Sequence, residues 1–126
     1  MFSHIHFQSL DATDLERAKT FWCDVMGCEV AVDAPYGESR WIMLRIEGAQ
    51  TLIHLNLVED VGEQKMPSIV LLSDDTDGAC KTLAERGVTP VQGPDTAPWD
   101  PSTRYAMFHD SEGNLVLIQT IGDIGL

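Results

Sequence analysis

An internal repeat is the feature that most restricts how this chain can fold. The stretches "TDLERAKTFWCDVMGCEV" (13–30) and "DDTDGACKTLAERGVTPV" (74–91) share one plan: an acidic start, an amphipathic helix, a glycine stop and a β-type segment. The stretches "TLIHLNL" (51–57) and "NLVLIQT" (114–120) also resemble each other. Repetition on this scale indicates copies of one supersecondary unit. The chain is therefore predicted to contain two β-α-β-β-β modules.

The repeat also predicts the domain organisation. A single domain, 1–126, would contain a first module at 1–58, a polar linker at 59–66 and a second module at 67–126. The predicted strands are 2–10, 28–33, 40–46 and 51–58 in the first module, and 68–73, 88–92, 103–109 and 114–120 in the second, whose helix is expected at 75–86.

The helix of the first module has sequence signals at both ends. Thr13 and Glu16 have the spacing of a capping box, in which each side chain accepts a hydrogen bond from a free backbone donor. Gly27 can adopt the left-handed conformation that ends a helix. The residues that follow the rhythm of one buried helix face are Leu15, Ala18, Trp22 and Val25.

The segment "GPDTAPWDPST" (93–103) interrupts the second module. It is rich in proline and contains Trp99. A loop of this length in a compact domain is more often functional than idle, which makes Trp99 a candidate ligand contact. Alternatively, Trp99 fills a gap over the sheet.

Composition and charge exclude several classes of function. The net charge of −12 repels phosphate backbones, which argues against a nucleic-acid partner. The same charge could attract a cationic ligand or could simply keep the surface solvated. No apolar run has the length of a membrane span, and the N-terminus lacks the pattern of a secretory signal. The three cysteines form no CxxC pair, which is typical of buried residues in a reducing cytoplasm.

Alternation along the predicted strands separates two sets of side chains. The first set is apolar and suits packing under a helix. Its members are Ile5, Phe7, Ile42, Leu44, Ile46, Ile53, Leu55 and Leu57. The second set mixes aromatic, apolar and hydrogen-bonding groups, as a small-molecule pocket does, and we expect it on the concave side of a curved sheet. Its members are His4, His6, Gln8, Trp41, Met43, Arg45, Leu52, His54, Asn56, Leu115, Leu117 and Gln119.

The chain resembles the vicinal oxygen chelate superfamily, which includes glyoxalase I, extradiol dioxygenases, fosfomycin-resistance enzymes and bleomycin-resistance proteins. The stretch "DLERAKTFWCDVMGCEV" is similar to the family's first helix and following strand, and "APWDPSTRYAMFHDSEGNLVLIQ" is similar to its closing hairpin. The resemblance covers nearly the whole chain. It implies an α+β fold in which two tandem βαβββ modules form a curled mixed sheet around a ligand cavity, and it also implies a homodimer.

The resemblance further implies where metal ligands would fall. When the chain is aligned with the family, the first-strand ligand position falls on His6 if one residue is inserted before Asp14. Without the insertion it falls on Phe7. Alternation of the strand faces favours His6. The other positions are His54, Ser68 and Leu117, the last being glutamate in metal-dependent relatives. A catalytic divalent site needs about three protein ligands. We therefore expect either no cofactor or a divalent metal weakly bound by His6 and His54.

The leading hypothesis is a metal-independent, cytoplasmic member of this superfamily that binds a small organic molecule, as bleomycin-resistance proteins do. One alternative is a metal-dependent glyoxalase-like lyase or dioxygenase that uses His6 and His54. Another is a metal-free isomerase or lyase in which the same histidines act as general acid and base. The predicted ligand-binding residues are Gln8, Trp41, Met43, Arg45, Asn56, Trp99, Leu117 and Gln119.

The predicted pocket face also suggests the charge of the ligand. It carries Arg45 and histidines but no Asp or Glu from the strands whose phase could be assigned. A nearby arginine forms paired hydrogen bonds to a carboxylate, while distant charges are screened within about 8 Å. We therefore expect a flat or aromatic ligand that is neutral or singly anionic, unless Arg45 points into solvent. If His6 and His54 converge, Leu117→Glu should raise metal affinity.

Overall fold

A computed structural model describes residues 1–122. The chain divides into two compact units, Met1–Gly62 and a second unit that begins at Glu63. Each unit contains the element order β-α-β-β-β and a four-stranded mixed sheet, which confirms the predicted two-module fold. Neither helix among the described residues has the length and apolarity that crossing a membrane requires.

The first unit is built on a sheet with the strand order β1-β4-β3-β2. β1 is parallel to β4, and the other neighbours are antiparallel. α1 continues directly into a short π-helical segment. The elements are β1 (Phe7–Ala12), α1 (Leu15–Thr20), the π-helical segment (Phe21–Val25), β2 (Glu29–Tyr36), β3 (Ser39–Arg45) and β4 (Leu52–Leu57).

The second unit repeats this arrangement, with the strand order β5-β8-β7-β6. Here β5 is parallel to β8, and the two hairpin pairs are antiparallel. The elements are β5 (Ile69–Leu72), α2 (Thr76–Glu85), β6 (Gln92–Ala97), β7 (Asp100–His109) and β8 (Leu115–Thr120).

Both helices begin with an aspartate cap. The Asp14 side chain accepts a hydrogen bond from the Arg17 backbone N–H at 3.0 Å, and Asp75 accepts one from Gly78 at 3.0 Å. The predicted capping box is therefore wrong, because aspartate is as good an N-cap as threonine and lies one residue later. The Thr13 hydroxyl instead accepts from the Arg17 guanidinium at 3.1 Å.

Each helix covers one apolar face of its own sheet. The predicted helix residues Leu15, Ala18 and Trp22 are buried, and Val25 is half-buried. The sheet residues buried beneath α1 are Leu10, Ile42, Leu44, Ile53 and Leu55. In the second unit the buried residues of α2 are Thr76, Cys80 and Leu83.

The phase predicted for the first strand is wrong. In the parallel β1–β4 pair, Phe7 aligns with Leu52 and Ser9 aligns with His54. Aligned residues of neighbouring strands project on the same side of a sheet, so Phe7 and Ser9 share the face of His54. Phe7 had been expected on the helix-facing side.

The same register moves Gln8 away from the predicted pocket face. Gln8 aligns with Ile53 on the α1 side of the sheet, where it remains exposed. His6 precedes β1 and is exposed, as are His4 and Ile5. Alternation was misleading here because His4, Ile5 and His6 lie outside the strand, so they gave the wrong phase for Gln8 within it.

The predicted long loop at 93–103 is also wrong. Most of it belongs to β6 and β7, which form a hairpin with Pro98 and Trp99 as its turn. Residues 88–91, expected in a strand, precede β6. Pro94 is tolerated within β6 because this strand lies at the edge of the sheet, where a missing N–H breaks no ladder bond.

A buried aspartate organises the turn that leads into β8. Asp110 accepts hydrogen bonds from the backbone N–H groups of Glu112 at 2.9 Å and Asn114 at 2.8 Å. The Gln64 side chain accepts from the Leu115 backbone N–H at 2.8 Å. These bonds fix the start of β8 and therefore the direction in which Leu117 projects.

Candidate ligand-binding site

Four aromatic rings meet on the face of the first sheet opposite α1. Each strand contributes one ring: Phe7 from β1, Tyr36 from β2, Trp41 from β3 and His54 from β4. Ring-centroid distances from Trp41 are 4.2 Å to His54, 5.8 Å to Tyr36 and 6.0 Å to Phe7, and Phe7 lies 5.4 Å from His54. We call these four residues the aromatic cluster.

The aromatic cluster is held in place by the sheet and by its own contacts. Its rings adopt tilted and edge-on arrangements, which aromatic pairs prefer and which contribute about 0.5–1.5 kcal/mol per pair beyond area burial. Met43, the antiparallel partner of His54, is buried on the same face. A ligand would therefore meet a surface that is already ordered.

A groove lies beside the aromatic cluster because β3 and β4 separate. Within the described part of the chain, the two strands pair only through Met43 with His54 and Leu44 with Ile53. The equivalent strands β7 and β8 pair through six residues each. The groove has a volume of about 290 Å³, and its lining residues are Tyr36, Ser39, Arg40, Trp41, His54, Leu55, Asn56 and Leu57.

His54 is the most chemically versatile group in this groove. Its side chain is nearly buried, with 8 % of the residue exposed, and its Nδ1 lies 3.0 Å from the Ser9 hydroxyl oxygen. Burial lowers the pKa of His54 below its usual value, because a protonated ring at this buried position would lose the hydration that stabilises its charge. His54 is therefore a neutral hydrogen-bonding group at neutral pH.

The lowered pKa of His54 predicts a pH dependence of stability. An unfolded histidine titrates near pH 6.5, so below that pH the unfolded chain binds a proton that the folded chain resists. The stabilisation is present above about pH 6.5 and is lost as the pH falls through the lower folded pKa. On acidification from pH 8 to pH 5, wild type should lose more stability in urea unfolding than His54→Gln.

The charged groups on the same face do not reverse this expectation. They are Asp11 on β1, Glu29 on β2 and Arg45 on β3, and each has a polar partner. An NMR titration that placed the His54 midpoint above pH 6.5 would contradict the lowered pKa of His54 and the pH dependence that follows from it.

Two carboxylates on this face weaken the expectation of an anionic ligand. Glu29 aligns with Arg45, and its Oε1 lies 3.8 Å from Nη1 of that arginine. Asp11 aligns with Asn56 and accepts a hydrogen bond from its amide at 3.0 Å. The expectation of no Asp or Glu concerned only the strands whose phase could be assigned; Asp11 lies beyond the predicted first strand, and Glu29 lies in a strand left without a phase. Arg45 already has Glu29 as a nearby counter-charge.

The second unit has a smaller aromatic surface on the face opposite α2. Leu117 and Tyr105 are buried together with Ala97, and Met107 packs against them. Trp99 lies 5.4 Å from the Tyr105 ring, but 58 % of it is exposed, so it does not fill a gap over the sheet. Gln119 aligns with Tyr105, so it shares this face, as predicted.

Comparison with known protein families identifies the superfamily to which the chain belongs. Residues 3–118 match the Glyoxalase/Bleomycin resistance protein/Dioxygenase superfamily. The chain belongs to this superfamily. The assignment confirms the resemblance inferred from the sequence motifs.

Individual members of the superfamily are similar over nearly their full length. The crystal structure of TnmS3, an antibiotic binding protein from Streptomyces sp. CB03234, shares 31% identity with a TM-score of 0.83, covering 96% of this chain and 98% of that one. A superfamily member from Sphaerobacter thermophilus DSM 20745 shares 31% identity with a TM-score of 0.82, covering 94% and 98%. The uncharacterized protein YetH of Bacillus subtilis (strain 168) is 28% identical over 122 residues, covering 94% and 99%.

The residues present do not fit the metal site of metal-dependent superfamily members. Phe7 is the first residue of β1 on the face of His54, and Leu117 lies in an apolar cluster. Ser68 donates its hydroxyl hydrogen bond to Gln64. Among residues 1–122, no group of three or more His, Cys, Asp or Glu side chains could hold a metal ion.

Sequence reasoning missed three residues of this site. Phe7 and Ser9 were missed because the first strand was given the wrong phase, although the alignment without an insertion had indicated Phe7. Tyr36 was missed because it was placed after the second strand, which extends to residue 36. The faces of β3 and β4 were predicted correctly, including Trp41, Met43, Arg45, His54 and Asn56.

Proposed function

We propose that this protein binds a flat aromatic small molecule at the aromatic cluster without using a catalytic metal. The observation that carries the proposal is the convergence of one ring from each strand of the first sheet beside a groove of about 290 Å³. Ligand sites are concave and mainly apolar, with few polar groups to fix orientation. Trp41 and Tyr36 would supply apolar contact, and His54 would supply a polar group.

The relatives support a binding role. TnmS3 is described as an antibiotic binding protein, and its similarity extends over nearly all of both chains. We propose that the present protein likewise sequesters an organic molecule of drug-like size. Fold alone does not define a ligand, so the proposal depends on the aromatic cluster rather than on the similarity.

Of the alternatives, a metal-free isomerase or lyase has one specific observation in its favour. His54 is held by Ser9 and has a lowered pKa, which suits a general base at neutral pH. Phe7 and Ser9 are the residues of β1 that share the face of His54, and an acid–base pair of His6 with His54 stays a prediction. A metal-dependent lyase or dioxygenase is disfavoured by the poor fit of Phe7, Ser68 and Leu117.

We also propose a homodimer. Val70 and Leu72 of β5 are exposed on the same face as the buried Leu117. Exposed aliphatic side chains next to a buried cluster are typical of surfaces that associate. Their burial by a second copy would support this part of the proposal.

The binding proposal predicts saturable, metal-independent binding of simple aromatic probes. Naphthalene and 2-naphthol should quench tryptophan fluorescence and release heat in calorimetry, with affinities unchanged by EDTA. Protein purified without a His tag should contain less than one equivalent of zinc, iron, nickel or manganese. Stoichiometric metal, or loss of probe binding in EDTA, would contradict the proposal.

A further inference from the structure

We infer that Ser9 is a positioning residue that fixes the His54 ring so that Nε2 hydrogen-bonds an uncharged oxygen of the ligand, such as a phenolic hydroxyl or an aromatic carbonyl. The inference rests on the proposed function, since it concerns the polar end of the same site. It assigns a role to Ser9 and narrows the ligand to flat aromatic molecules that carry an uncharged oxygen.

The Ser9 hydroxyl and the Trp41 ring hold the His54 ring in one orientation. The two residues are aligned partners in the parallel β1–β4 pair, and the Ser9 hydroxyl lies 3.0 Å from His54 Nδ1. The Trp41 ring lies 4.2 Å from the His54 ring at an interplanar angle of 33°. With one nitrogen bonded and one ring face covered, rotation of His54 would break both contacts.

The other ring nitrogen of His54, Nε2, is available to a ligand. Nε2 of His54 has no hydrogen-bond partner among residues 1–122. Every fully buried side-chain nitrogen or oxygen in this part of the chain has a partner, so Nε2 must be accessible. Because His54 lines the groove, the groove is where a ligand atom can reach Nε2.

The hydrogen-bonding role of Nε2 indicates which ligand atom it can bind. A neutral imidazole has one donor and one acceptor, and a serine hydroxyl can satisfy Nδ1 in either role. Nε2 then has the complementary role, which suits an uncharged hydroxyl or carbonyl. An anionic ligand would gain less, because Arg45 lies beside Glu29 and Asp11 adds a second carboxylate, hydrogen-bonded to the neutral Asn56 amide. The face therefore has no spare cation for an anionic ligand, and the amine of the test series checks the effect of its remaining negative charge.

The positioning role can be tested without any ligand. Long-range ¹H–¹⁵N NMR spectra report the tautomer of each histidine, and His54→Gln identifies the His54 signals among the four histidines. Wild type should show one dominant tautomer. Ser9→Ala should give a mixture, and Ser9→Thr, which keeps the hydroxyl on a strand residue, should restore the wild-type spectrum. Unchanged nitrogen shifts in Ser9→Ala would overturn the positioning role.

The ligand class can be tested with a matched series measured by calorimetry at pH 7.5. One hydrogen bond contributes about 1 kcal/mol, so 2-naphthol should bind about fivefold more tightly than naphthalene. Ser9→Ala should remove this advantage, so that 2-naphthol and naphthalene bind with similar affinity, and Ser9→Thr should retain it. Ser9 is exposed, so its substitution should not prevent folding.

The outcomes separate this inference from the proposed function. If no member of the series binds, the proposed function fails. If naphthalene and 2-naphthol bind equally, or if Ser9→Ala weakens both to the same extent, only the inference about Ser9 and the ligand oxygen fails. Tighter binding of 2-naphthoate or of 2-naphthylmethylamine than of 2-naphthol would show that the ligand class is charged.

Discussion

Replacing Trp41 with alanine is expected to weaken the binding of naphthalene-type probes by about 30-fold to 150-fold. Burial of one aromatic ring contributes on the order of 2–3 kcal/mol, and each 1.4 kcal/mol corresponds to a tenfold change in affinity. Trp41 contacts the other three rings of the aromatic cluster, so its loss also removes the support that holds them. Calorimetric titration of wild type and Trp41→Ala measures the effect.

Two control variants make this experiment specific. Trp41→Phe keeps a ring at the position and should retain most of the affinity. Trp99→Ala removes an equally large ring from the second unit, where it is largely exposed, and it should have a much smaller effect. Circular dichroism of each variant establishes whether the fold is intact. Equal losses in Trp41→Ala and Trp99→Ala would contradict the assignment of the site to the aromatic cluster.

The modular fold could be predicted because its signals are local and occur twice. Aspartate before each helix and glycine after it appear in both copies, and Gly27 and Gly87 have the positive φ angles of +83° and +89° expected of helix stops. These choices depend on a few neighbouring residues. The two modules could therefore be recognised without knowing how the strands pair.

The candidate site was predicted only where strand alternation is uninterrupted. β3 and β4 alternate regularly, so the faces of Trp41 and His54 could be assigned from the sequence. The register of β2 shifts between Val30 and Val32, and β1 begins later than expected. The positions of Ser9 and Glu29 depend on these pairings, which the sequence alone does not specify. The sequence reasoning behind the expected ligand charge therefore did not include Glu29, and the charge of the ligand stays a prediction.

Gly93 lies in the segment 93–103, within the hairpin formed by β6 and β7. Gly93→Ala should lower the free energy of unfolding by about 2–4 kcal/mol. Gly93 has φ of +80°, which costs an alanine about 1 kcal/mol or more. An added Cβ would also lie 2.5 Å from the Tyr105 carbonyl oxygen and 3.0 Å from the Ala106 Cα, at a further cost of about 1–3 kcal/mol. Both are backbone atoms of β7, which cannot yield without breaking the hairpin.

Gly87→Ala is the matched control for this prediction. Gly87 has a similar φ of +89°, but an added Cβ there would meet no atom within 4 Å. Its substitution should therefore cost only the backbone strain, about 1 kcal/mol. The difference between the two variants in urea unfolding isolates the close approach of β6 to β7. Equal destabilisation would show that the hairpin can relax around the methyl group, and that the position of Tyr105 beneath Trp99 does not depend on a glycine at residue 93.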